Sequence, residues 1–70
     1  MFNLDGFLDL LARNRYSKVK LAKTLGISLS SLYRRLEKKG DFTMGEVRLL
    51  MSLFGRDEIL NVFFVADNVA

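Results

Sequence analysis

Residues 17–36, SKVKLAKTLGISLSSLYRRL, constrain this chain more than any other stretch. They divide into two short helical segments around Gly26. Ser17 stands where a serine hydroxyl caps the first segment, and Ser28 does the same for the second. Gly26 occupies the position just past a helix end, where a positive φ is needed and a Cβ is costly. Val19, Leu21, Ala22 and Leu25 are expected to face inward on the first segment, with Lys18, Lys20 and Lys23 outward. Ile27 tucks into the core across the turn. On the second segment a wheel at about 100° per residue groups Leu32 with Leu36 and puts Leu29 at the edge of that stripe. Ser30, Arg34 and Glu37 fall roughly opposite, with Lys38 beside them and Tyr33 on the flank. Two helices meeting at a steep angle need a small residue at the contact, a strain-free turn and apolar locks. Ala22, Gly26, and Leu21, Leu25, Ile27 and Leu32 supply these. The pattern is that of a helix-turn-helix, a unit that sets its second helix into the major groove of DNA.

Charge follows the same boundary. Between positions 13 and 39 the chain carries nine basic residues and one acidic, Glu37, for a local net charge of +8. The remainder holds Arg48 and Arg56 against seven carboxylates, for −5. A basic block on one segment of a chain whose total is only +3 suits a polyanion surface. A solvated helix face with chance clustering is the plainer explanation of the charge taken alone.

The flanking sequence predicts scaffold. Leu4, Phe7, Leu8 and Leu11, widened by Leu10, recur at helical spacing, so a first helix is expected over about residues 4–13. Asn3 or Asp5 caps it, and Asn14, which tolerates left-handed geometry, stops it. Thr43 followed by Glu46 has the form of a capping box and opens a fourth helix. Its inward stripe is Val47, Leu50, Met51 and Phe54, and Gly55 closes it. Residues 57–66 read either as a helix capped by Asp57 or as a short strand, with the helix preferred. The expected fold is all-α: about five short helices in one domain over residues 1–66, with a loose end at 67–70.

Composition narrows the chemistry. With no His and no Cys among 70 residues, the commonest general base and the thiolate ligands are absent. The remaining carboxylates, Lys, Tyr and Ser form no pair at a suggestive spacing, and no glycine-rich phosphate loop is present. The sequence therefore argues against an enzyme and calls for no cofactor or metal. No apolar run reaches the ~18 residues of a membrane span. The start, MFNLDGFLDLL, lacks the basic leader of a signal peptide. A soluble protein of a bacterial cytoplasm, without membrane partners, is the simplest expectation.

LAKTLGIS and SSLYRRLE resemble the helix-turn-helix of the lambda repressor and Cro superfamily, the XRE-type phage and bacterial regulators. Extended through GDFTMGEVRLL to NVFF, the resemblance covers roughly residues 4–65 and is similar in extent to the small phage Cro-like regulators. It implies a transcription regulator, typically a repressor, on double-stranded DNA. Helices 2 and 3 are then the reading unit, and helices 1, 4 and 5 support them. Carried over by position, it assigns Leu29, Ser30 and Arg34 to base edges. Leu29 would pack on a thymine methyl, and Arg34 would pair with guanine through both its donors. Ser17, Lys18, Tyr33, Lys38 and Lys39 are assigned to phosphates. Leu29 and Tyr33 read equally well as packing residues. One departure stands out: Arg35 occupies a place usually apolar in the family, which implies a slightly rotated helix 3.

Such regulators usually bind as dimers on two half-sites. Phe54, Ile59, Val62, Phe63 and Phe64 stand either as a surface for a second copy or partner protein, or as the floor of the core. Some small phage regulators of this appearance act by binding a partner repressor. That leaves a protein-interaction module, a modulator or antirepressor, as the alternative to direct DNA reading.

Overall fold

Among the described residues, four of the five helices begin where a polar side chain can take over an unpaired backbone donor, and this punctuation sets the architecture. In the computed structural model, which describes residues 2–64, the helices are α1 (Leu4–Arg13), α2 (Lys18–Leu25), α3 (Leu29–Glu37), α4 (Met44–Phe54) and α5 (Arg56–Phe63). No strand occurs among the described residues. Asn3, Ser17, Ser28 and Thr43 cap the first four, each accepting from a backbone N–H three residues on. Thr43 and Glu46 complete the expected capping box. α4 and α5 are separated by Gly55 alone, at φ 101° and ψ 139°, a conformation that essentially only glycine adopts. α5 starts two residues earlier than an Asp57 cap would allow. Asp57 and Glu58 lie instead in its first turn, where they favour the positive end of the helix dipole.

The core draws on every helix: Phe7, Leu10 and Leu11 from α1; Leu21 and Ala22 from α2; Leu32 and Leu36 from α3; Leu50 and Phe54 from α4; Ile59 and Val62 from α5. α2 packs on α3, while α4 and α1 both pack on α5. A set of aromatic rings closes one side. Phe2 lies 5.6 Å from Phe7 and 5.0 Å from Phe63, and Phe42 lies 6.0 Å from Phe7 and 5.7 Å from Phe63. Tilted and edge-on pairs at these spacings are the favoured geometries of aromatic rings. The Asn3 N–H donates to the Val62 carbonyl at 2.8 Å, which ties the start of α1 to α5.

Three details differ from the sequence reading. Val19 is half exposed. The i, i+3, i+4, i+7 row of α2 runs Lys18, Leu21, Ala22, Leu25, so Val19 falls beside the stripe. Leu4 is more exposed than its place in the α1 stripe suggests, because it occupies the first position of the helix. The left-handed residue after α1 is Arg15, at φ 53°, rather than Asn14. Asn14 keeps φ −95° and turns its side-chain amide back to the Leu10 carbonyl at 2.8 Å. The expected loose end at residues 67–70 lies outside the described residues.

Candidate nucleic-acid interface

The turn between α2 and α3 is built from backbone alone. Gly26 sits at φ 74° and ψ 29°. Its N–H donates to the Lys23 carbonyl at 3.1 Å, and the Ile27 N–H reaches back to the Ala22 carbonyl at 3.0 Å. This pair of bonds is the closing pattern that a left-handed residue permits at a helix end. Ile27 is thereby drawn against the core. Ser28 then caps α3, accepting from the Ser31 N–H at 3.0 Å. Ala22, Leu21 and Leu32 are all buried, so the locks between the helices lie where the sequence put them.

With Leu32 and Leu36 buried, α3 turns Ser30, Tyr33, Arg34 and Glu37 to solvent. The Arg34 guanidinium reaches the Ser31 hydroxyl at 3.3 Å and has no carboxylate partner within ion-pair distance among the described residues. It is an exposed cation. A cleft of about 390 Å³ opens beside it, lined in part by Ser31, Arg34, Lys38, Asp41 and Thr43. Lys38 and Lys39 follow at the end of α3, both exposed, with Lys39 at φ 61°. At the other end of the unit, Ser17 is exposed, and its hydroxyl is engaged as acceptor for the Lys20 N–H at 3.0 Å. Lys18 is half-buried, as a lysine stem laid along an apolar stripe would be. Leu29 is also half-buried and packs against the core, which draws part of its side chain away from solvent.

Not every cation is equally free. Arg13 donates to Asp9 at 3.0 Å and to Glu58 at 3.4 Å, linking α1 to α5. The hydrogen bond that Arg13 donates to Asp9, then the one it donates to Glu58, holds its guanidinium above the ordinary pKa. Lys20 lies over the Tyr16 ring, 4.7 Å from its centroid. The Tyr16 hydroxyl in turn meets the Thr24 hydroxyl at 2.7 Å. Arg35 is turned inward onto Glu46 and pairs with it. Asp9 lies one turn back on the same helix as Arg13, at a spacing visible in the sequence, whereas Glu58 and Glu46 lie on other helices and are not disclosed by the pattern.

The five residues offered as a partner surface separate. Phe54, Ile59 and Val62 are buried within the chain's own core and are unavailable to a partner in this conformation. Phe63 is half-buried among Phe2, Phe7 and Phe42. Only Phe64 of the five is exposed, at 66%. The reason is volume: closing a five-helix core this small takes the inward residues of α5 and the last turn of α4. Met44, at 70% exposed, is a further apolar residue at the surface.

An exposed polar and basic helix, fixed through a glycine turn to a supporting helix, defines a helix-turn-helix DNA-binding domain. Comparison with known families agrees. Residues 8–38 match the family model described as bacterial regulatory protein, Fis family. The matched stretch takes in most of α1, all of α2 and all of α3. It supports a DNA-binding regulator of the helix-turn-helix type. Neither the curated proteins nor the solved structures yield a match. No helix among the described residues is long and apolar enough to cross a membrane.

Proposed function

We propose that this protein is a sequence-specific transcription regulator of the Cro/repressor type that sets α3 into the major groove of double-stranded DNA. The observation that carries this reading is the exposure of Ser30 and Arg34 on the outer face of α3, directly across the helix from Leu32 and Leu36. In this arrangement Arg34 takes the bidentate contact to a guanine edge, worth about 1–3 kcal/mol of discrimination. Ser30 donates to or accepts from a neighbouring base. Leu29 presents its uncovered part to a thymine methyl. Ser17, Lys18, Tyr33, Lys38 and Lys39 hold the phosphates on either side and fix the register of the protein on the duplex.

The test is a titration of the purified protein on duplexes drawn from the DNA around its own gene, repeated across salt. Binding should weaken steeply with salt, because each neutralised phosphate releases counterions. Arg34→Ala should cost at least tenfold in specific affinity at every salt concentration. If the variant binds those duplexes as the parent does, the assigned reading face is wrong.

A second reading, contact with another protein such as a partner repressor or a second copy of the chain, is favoured by one observation. Met44 and Phe64 are exposed beside a groove that also takes in Phe2, Phe42, Val47 and Phe63. Direct DNA reading predicts a specific shift by the protein alone. A modulator predicts weak shifts alone and a stable complex once its partner is added.

A further inference from the structure

Arg35 behaves unlike its neighbours on α3. Arg34 and Lys38 lie in solvent, whereas the Arg35 side chain is 25% exposed and the Glu46 side chain it meets is 14% exposed. Glu46 Oε1 accepts from Arg35 Nη1 and also from the Thr43 N–H at 2.9 Å. One carboxylate oxygen therefore closes the first turn of α4 and grips α3 at the same time. The Phe42 ring lies 5.9 Å from the Arg35 guanidinium carbon. The Arg35 carbonyl accepts from the N–H groups of Gly40, at 2.9 Å, and Asp41, at 3.3 Å. Side chain and backbone of one residue thus organise the whole passage from α3 to α4.

The placement of this tie matters more than its strength. The apolar anchors of α3 are Leu29, Leu32 and Leu36, which share an arc of about 60° on the helix wheel. Anchors so close together hold a helix down and resist rolling about its axis only weakly. Arg35 lies about 60° beyond the edge of that arc, on the side that leads to Arg34. A roll of about 10° moves a group at the helix perimeter, about 5 Å from the axis, by about 1 Å. That is enough to spoil a fork-shaped contact to a base edge.

We infer that the Arg35–Glu46 pair is a positioning strut that sets the roll of α3, and so the base preference of Ser30 and Arg34, without itself touching DNA. The inference rests on the reading of α3 as the helix in the groove.

Two variants test it: Arg35→Met, which keeps the length of the stem, and Glu46→Gln, which keeps an oxygen for the Thr43 N–H because a capping box accepts either residue. The parent first enriches duplexes from a random-sequence pool. Affinity for the best enriched duplex is then compared with that for a scrambled duplex of equal length, at a temperature where circular dichroism shows each protein fully folded. The two substitutions change net charge in opposite directions, so a field effect would move affinity oppositely in the two. A strut predicts that the ratio of specific to scrambled affinity falls at least fivefold in both. An unchanged ratio in either folded variant, or opposite shifts, overturns the inference. Glu46→Gln decides alone if Arg35→Met does not fold. If the parent enriches nothing, the DNA reading fails and the inference falls with it; if it enriches and the variants match it, only the strut is wrong.

Discussion

The half of the molecule formed by α2 and α3 and the half closed by α4, α5 and the N-terminal aromatics are held by different means. α2 and α3 are eight and nine residues long, and they rest on caps, a glycine turn and a few aliphatic locks. The opposite side is held by Phe2 and Phe42, each packed on both Phe7 and Phe63, and by the backbone tie from Asn3 to Val62. Isolated helices of eight or nine residues are unstable in water. The α2–α3 half therefore borrows its stability from the aromatic half, and this leaves its outer face free to be polar. The division explains how a domain of this size carries a basic block beside a dry core.

Substitutions at graded positions can break or sharpen that contrast. Phe7→Ala should have the largest effect. Phe7 has no exposed surface and touches three other rings, so removing it should cost about 3–5 kcal/mol. Urea denaturation should show a chain close to unfolded, although no residue of the reading face has changed. Gly26→Ala should cost about 1–2 kcal/mol, since it forces a side chain into left-handed geometry; the space around it is open, so the loss is backbone strain rather than a clash. Ser28→Ala should cost about 1 kcal/mol through loss of the α3 cap, read as a lower thermal midpoint. Arg34→Ala should change stability by less than about 0.5 kcal/mol, because its one hydrogen bond is at the surface. A large loss of stability there would show that the reading face helps hold the fold, and the contrast between the halves would collapse.

The parts legible in the sequence are those whose causes are local. Asn3, Ser17, Ser28 and Thr43 cap because a side-chain oxygen three residues from an unpaired N–H needs no help from elsewhere in the chain. Gly26 turns because of its own conformational range. The burial of Leu32 and Leu36 and the exposure of Ser30 and Arg34 follow from helical periodicity. What periodicity cannot supply is the identity of a partner on another helix. The inward turn of Arg35 depends on Glu46, eleven residues away, and the Arg13–Glu58 contact spans forty-five. The same limit applies to Phe54, Ile59 and Val62. Apolar residues near the end of a chain look alike whether they face a neighbouring molecule or a core, and only the packing of α5 separates the two. Lys18 and Val19 show the finer version, in which a lysine stem takes the stripe and the valine beside it is left in water.

The bond between the Asn3 amide and the Val62 carbonyl also bears on how the chain can be re-engineered. The start of α1 and the end of α5 lie side by side, so a peptide joining those two points would close the helical body, and new termini could be opened in the loop around Asp41. A circularly permuted protein made this way would keep every helix intact. It would also release α3 from the covalent connection to α4, leaving the ion pair between those helices as their remaining side-chain tether at that joint.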